Sequence, residues 1–582
     1  MAGGADQAGP WRALIRAARR DRRQLVLVGV TLFVATALPL TSPLLLRRFV
    51  DQAAGATPLS DMTLTAFAFL GVAIASQLAT IVSTYAGSAW SWRTTNDLRE
   101  EVATHALGLD YSFHGRHTAG EMIERVDGDI VGLAEFLSQF VTGALGSAML
   151  LIGALVLVSF QDVRLGVAYG AIALFGLVVL LRGQRSIVPL AAAEREAFAQ
   201  LFGGIEEYLA GAEDIRANGA GHHILGRFHD TAVAQFRAAF RSQRWGALLL
   251  GSTSLFFALG TVGLLGLGVV LHDRGAITLG TVVALFQYSQ LVRNPIEQIV
   301  GQAKHLQDAA ASAGRVANLL GEQPTITEVA QPTPLPARPL GVALRNVTFA
   351  YADDPPVLRD VTLVVAAGRT LGLVGRSGSG KTTIGRLVLR LYDTTEGTVE
   401  VGGVDVRQAR MAELRANVRA VTQEVQLFSA TLRDNVTLFD DAVDDQRVLA
   451  VLHDVGLGAW LASLPDGLAT VLGPSGVGMS AGEAQLLALS RVFLADPAVI
   501  VLDEPSSRLD PATERLVEAA TTRLLQGRTA IVIAHRLAAL AAVDDIAVIE
   551  GGCVVEHGAR DVLAADPASA FARLLDPARS EP

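Results

Sequence analysis

The sequence predicts an all-α membrane domain of six transmembrane helices with long cytoplasmic extensions, followed by an α/β domain. Three observations predict it. The first half carries long runs without a single charge. Five prolines then fall within "GEQPTITEVAQPTPLPARPL", residues 321–340. Beyond them, strand-like runs alternate with helical ones.

The uncharged runs are 24–46, 62–92, 136–161, 165–181, 245–272 and 275–292. A bilayer core needs about 20 apolar residues in helix. The two shorter runs extend past a charge that snorkels or faces a cavity. The expected spans are therefore 24–46, 62–92, 136–161, 163–185, 245–272 and 275–298, within a membrane domain 1–320.

Arginines set the orientation. Arg12, Arg16, Arg19, Arg20, Arg22 and Arg23 precede the first run, so the N-terminus is expected in the cytoplasm. The long connections 93–135 and 182–244 then lie on the same side. Their expected turns are "DYSFHGRHTAGEMI" (110–123) and "LAGAEDIRANGAG" (209–221). Arg47 and Arg48 fall on the outer side, against the simple rule. The opening "PWRALIRAARRDRRQ" suits a short amphipathic helix on the membrane surface. The apolar run behind it is too long for a signal peptide.

The bulk composition agrees. Of 582 residues, 51% are apolar and 18% charged, and the formal charge is −9. That balance argues against a dedicated nucleic-acid binder. The one cysteine, Cys553, excludes an intramolecular disulfide and a multi-thiolate zinc site. Only Lys304 and Lys381 are lysines among 48 basic residues. Each surviving lysine is thereby singled out.

The proline-rich stretch 321–340 makes an extended linker, because proline lacks the N–H a helix needs. From 341 to 582, "GVALRNVTFAY", "TLGLVG", "AVIVLDE" and "TAIVIAH" read as strands of a largely parallel sheet. The second of them runs into Gly375-Arg376-Ser377-Gly378-Ser379-Gly380-Lys381-Thr382 and a helix. That is a phosphate loop in its proper strand–turn–helix context. Glycines let backbone N–H groups converge on phosphate oxygens, and the helix start adds positive potential. Lys381 is expected at the β- and γ-phosphates of ATP. Thr382 is expected to give a hydroxyl to Mg²⁺, and Thr383 follows it in the site. "AVIVLDEP" ends a strand at Asp503, placed to hold Mg²⁺ through water, and Glu504, placed to orient the attacking water. His535 in "IVIAHRL" is expected to touch the γ-phosphate.

This order of motifs resembles ATP-binding-cassette exporters, in particular half-transporters with six spans fused to one nucleotide-binding domain. The resemblance covers nearly the whole chain. It implies that Tyr351 in "VTFAY" stacks on adenine and that Gln423 in "VTQEVQLF" touches Mg²⁺ and couples to the membrane domain. It implies that Ser506–Asp510 faces a partner domain, with Arg508 where a small residue is commoner. The two cytoplasmic turns become coupling helices. "TVLGPSGVG" stands where such exporters carry a more acidic loop.

The family works as dimers, each ATP lying between one chain's phosphate loop and the other's signature. The signature here is Met479-Ser480-Ala481-Gly482-Glu483 in place of L-S-G-G-Q. Ser480 keeps a hydroxyl for the γ-phosphate and Gly482 keeps close backbone approach. Ala481 adds a Cβ, and Glu483 adds a carboxylate that phosphate disfavours. The resemblance therefore implies a heterodimer with one hydrolysing and one weaker site, a homodimer being the alternative. It implies an integral protein of a bacterial plasma membrane, with its nucleotide-binding domain cytoplasmic, exporting a small molecule or peptide by alternating access. Import of a siderophore-like cargo, lipid flipping, an ATP-gated channel and a non-pumping ATP-binding regulatory subunit are the other readings. Gln77, Gln139, Gln287, Tyr288, Gln290, Arg293 and Asn294 are candidate cargo contacts. Arg293 faces either an anionic cargo or a neighbouring span. Phe256 and Phe257 are expected to face lipid, and His222, His223 and His229 to lie in a cytoplasmic arm.

Overall fold

Charge-free runs bracketed by arginine fold as long helices. The computed structural model describes residues 11–55, 57–352, 354–473, 478–503, 511–534 and 540–575. Five helical stretches are long and apolar enough to cross a membrane: Arg22–Ala54, Leu59–Gly108, Ala119–Gln161, Val163–Ala210 and Gly221–Asp273. Leu279–Gly321 is a further helix of 43 residues. At 1.5 Å per residue the 50-residue helix Leu59–Gly108 reaches about 75 Å. That is more than twice the roughly 30 Å of hydrocarbon, so long helical extensions project beyond it. The basic segment before the first span forms its own helix, Arg12–Arg20, with Arg16 and Arg20 paired to Glu101 and Asp97.

Two compact units result. One is Met1–Gly108 with His117–Glu322; the other is Leu109–Arg116 with Gln323–Pro582. The first part of the expected turn 110–123, up to Arg116, thus folds with the α/β part.

In the membrane unit, polar groups act mainly as internal bolts. Tyr288, fully buried, donates to the Leu40 carbonyl at 3.0 Å, and Tyr169 donates to the Tyr288 carbonyl at 3.2 Å. Tyr288 is therefore a core tether and not a cargo contact. Arg293 pairs with Glu297 of its own helix at 2.8 Å, because residues four apart share a face. Phe257 is 6% exposed and belongs to the core, which corrects its placement toward lipid. Gly176 makes the room: a Cβ there would stand 2.6 Å from the Phe257 ring. Asn294 does line a cavity of about 210 Å³, with Thr36, Thr80, Ser83, Ser147 and Gln298.

Two ion pairs explain charges that the hydropathy pattern disfavours. Arg47 is bonded to Gln161 and lies 3.6 Å from Asp51. Asp51 also accepts from Thr278 Oγ1 and Gly280 N, both at 2.8 Å. An arginine neutralised by its own helix weighs little on orientation. Asp129, 2% exposed, accepts a fork from Arg315, whose Nε lies 3.0 and 3.1 Å from the two oxygens. That hydrogen bonding holds the Arg315 guanidinium above its ordinary pKa against the opposing effect of burial.

The second unit has ten described strands. They are β1 (Val342–Phe349), β2 (Leu358–Val365), β3 (Thr370–Val374), β4 (Glu396–Val401), β5 (Val404–Asp405), β6 (Val418–Val421), β7 (Val499–Asp503), β8 (Thr529–Ile533), β9 (Asp545–Glu550) and β10 (Cys553–Ala559). One sheet is antiparallel, in the order β2-β1-β4-β5; the other runs β10-β9-β3-β8-β7-β6. In the second, β9, β3, β8, β7 and β6 are parallel, and β10 joins antiparallel. β3, β7 and β8 are buried almost end to end, as strands covered on both faces must be. The proline-rich linker lies along this unit. The Thr327 carbonyl accepts from Arg390, and Glu328 accepts from Met411 N at 2.9 Å.

Candidate nucleotide site

Parallel strands place ligands at their C-terminal ends. Leu373 of β3 pairs with Ile533 of β8, Ile533 with Asp503 of β7, and Leu502 with Val421 of β6. The phosphate loop after β3, Asp503 at the end of β7 and Gln423 just past β6 therefore share one edge.

The loop itself is built for close approach. Gly375, Gly378 and Gly380 take φ of 153°, 79° and 105°, which side chains avoid. A Cβ on Gly375 would come 2.1 Å from the Ile549 carbonyl oxygen. Ser377 is exposed at the tip. Gly380 caps the helix Lys381–Val388, whose first N–H groups face the loop. Lys381 is 4% exposed, and its Nζ donates to the carbonyls of Gly375 at 2.8 Å and Arg376 at 3.0 Å. Its ammonium thus sits inside the loop.

The residues present fit a nucleotide with a hard cation. Ser379 Oγ is buried and has no hydrogen-bond partner among the described residues. That is a costly state for a hydroxyl, which a phosphate oxygen would relieve. Thr382, Gln423 and Asp503 offer only oxygen donors, the set that suits Mg²⁺. Glu504, His535 and the loop Ser506–Asp510 with Arg508 lie outside the described residues, as does 474–477 of the loop before the signature.

Tyr351 is placed by packing. Its ring meets Phe349 and Tyr392 edge-on, with centroids 4.8 and 5.1 Å away. Its hydroxyl lies 2.9 Å from Thr383 Oγ1.

The signature opens a second helix, Ala481–Ala495. Ser480 caps it: Ser480 Oγ accepts from Glu483 N at 3.3 Å. The Glu483 carboxylate accepts in turn from Ser480 N at 2.7 Å and Ser480 Oγ at 2.9 Å. This reciprocal cap is legible in the sequence as S-x-x-E, so Glu483 is a capping residue as well as a charge. Gly482 is buried, and Met479 packs on the core in place of leucine. No group of three or more His, Cys, Asp or Glu able to hold a metal occurs among the described residues.

Sequence reasoning also missed how the first turn is held. Asp110 caps the helix Tyr111–His114 and accepts from Thr325 Oγ1 at 2.6 Å. Burial alone would raise its pKa. The bonds from Ser112, Thr325 and Phe113 outweigh burial and hold the carboxyl well below the usual range.

Comparison with known proteins agrees with this geometry. The family description "ABC transporter transmembrane region" matches residues 25–296, and "ABC transporter" matches 358–507. A fatty acid ABC transporter ATP-binding/permease protein of Mycobacterium bovis is 31% identical, covering 80% of this chain and 73% of that one. A multidrug efflux ATP-binding/permease protein of the same species is 28% identical over 95% of this chain and 46% of its own, so this chain spans about half of it. A bacterial Atm1-family ABC exporter solved with ATP bound shares the fold, with a TM-score of 0.79 at 24% identity. The match covers 97% of this chain and 99% of that one.

The chain is a membrane-embedded, ATP-hydrolysing transporter, its transport domain and its cassette fused in one polypeptide. It belongs to the ABC transporter family and is a half-transporter of the exporter type.

Proposed function

We propose that this half-transporter pairs with a different half-transporter to export a small molecule or peptide across a bacterial plasma membrane, with its cassette in the cytoplasm. The pairing of an intact phosphate loop with a signature serine held by a carboxylate carries this reading. ATP on the loop Gly375–Thr382 would meet a competent signature of the mate. ATP on the mate would meet Ser480, whose hydroxyl already donates to Glu483, beside a negative charge.

In the hydrolysing site, Lys381 neutralises the phosphates and the loop glycines with Ser377, Ser379 and Thr383 surround them. Tyr351 flanks the adenine. Thr382, Gln423 and Asp503 would hold Mg²⁺, which would supply charge neutralisation to the phosphates. Glu504 would orient the water and His535 would reach the γ-phosphate. The relative that carries fatty acids supports a lipid-like cargo, which makes lipid flipping the second reading.

Glu504→Gln should cut turnover at least about 100-fold while bound ATP persists; an unchanged ATPase rate rejects the site assignment. Purification of the chain alone as a symmetric, fully active dimer rejects the unequal pair.

A further inference from the structure

Three tyrosines from separate stretches of the cassette unit converge on one arginine that phosphoryl transfer does not use. Arg386 lies on the helix Lys381–Val388, just beyond the phosphate loop. Its Nη1 donates to the Tyr351 hydroxyl at 3.2 Å. The same guanidinium stands 5.7 Å from the ring centroid of Tyr111, within reach of a cation–π contact. Tyr392 closes the cluster, its ring 5.1 Å from Tyr351 and 5.8 Å from Tyr111, perpendicular or nearly so to both. Tyr111 opens the short helix Tyr111–His114 of the first cytoplasmic turn, which lies in sequence between the helix ending at Gly108 and the one beginning at Ala119.

We propose that Arg386 is a positioning residue that carries the setting of Tyr351 to the first cytoplasmic turn through Tyr111. The proposal rests on Tyr351 as the adenine contact. A base lying on that ring fixes the ring, and the hydroxyl at its far end fixes one nitrogen of Arg386. A planar guanidinium can hold a hydroxyl at one edge and cover an aromatic ring with its face; an ammonium is a point charge and cannot do both. ATP arrival on the cassette is thereby felt at the turn before any hydrolysis.

The test uses the full chain in lipid nanodiscs, with Cys553→Ser and an environment-sensitive fluorophore on Arg116→Cys. Mg·ATP is added and the fluorescence change at the turn is read. TNP-ATP binding is measured separately. Arg386→Leu and Tyr111→Leu should each bind TNP-ATP within about twofold of the parent and lose most of the ATP-induced signal. Arg386→Lys should not restore it. Full signal in either leucine variant overturns the relay. If Arg386→Leu does not fold, Tyr111→Leu, which alters only the exposed end, decides. Tyr351→Ala should weaken TNP-ATP binding about tenfold, as loss of a base-stacking ring does. Unchanged binding there overturns the adenine assignment itself, whereas weakened binding with a full signal in Tyr111→Leu overturns the relay alone.

Discussion

Lys381 concentrates the chemistry of the cassette in one side chain. Buried and doubly bonded to loop carbonyls, it shapes the loop as well as charging it. Lys381→Ala should lower ATPase turnover at least about 100-fold, the scale of losing one preorganised charge, with a purified-protein phosphate-release assay as the check. Asp110 makes a prediction about pH. Its folded pKa is depressed, so its stabilising contribution is complete above its unfolded value of about 3.9. The contribution is lost as pH falls from there through the folded value. Melting temperatures measured from pH 6 down to pH 3 should fall more steeply for the parent than for Asp110→Asn.

Whole elements follow from runs of residues, and these were the most legible part of the sequence. Five of the six uncharged runs lie wholly within long helical stretches; in the sixth, 275–292, the helix begins at Leu279. The strand "TLGLVG" with its glycine turn forms as its pattern requires. What escaped was long-range pairing. Asp129 and Arg315 are 186 residues apart, and nothing local in "RVDGDI" or "SAGRVA" announces that they meet. The same holds for Arg386 and Tyr111, each unremarkable in its own stretch, and for their meeting with Tyr351. Phe257 was misplaced because an apolar run does not say which of its faces meets protein. Asp129 is buried while Arg315 is about half exposed, so removing the arginine leaves a buried carboxylate without its counter-charge, which destabilises the fold. Arg315→Met should therefore unfold at lower temperature than the double variant Arg315→Met with Asp129→Leu, in detergent-solubilised protein followed by tryptophan fluorescence.

Across the molecule, the division into two units does not follow chain order. Residues 109–116 precede most of the membrane domain in sequence yet fold with the cassette. Phe113 at their centre is 3% exposed there. A fragment ending at residue 320 lacks the rest of the unit to which that ring belongs. Size-exclusion profiles of the fragment should show more aggregate than those of the full chain, and Phe113→Ser should reduce the excess.

The displaced octapeptide also sets a clock for biogenesis. It leaves the ribosome more than 200 residues before Gln323, and at 5–20 residues per second that interval is roughly 10–40 s. During it, a nascent chain already threaded into the bilayer holds out an apolar hook with nothing to grip. Assembly is therefore completed from the last-made half backward, and a ribosome that stalls late leaves a product that quality-control proteases can recognise.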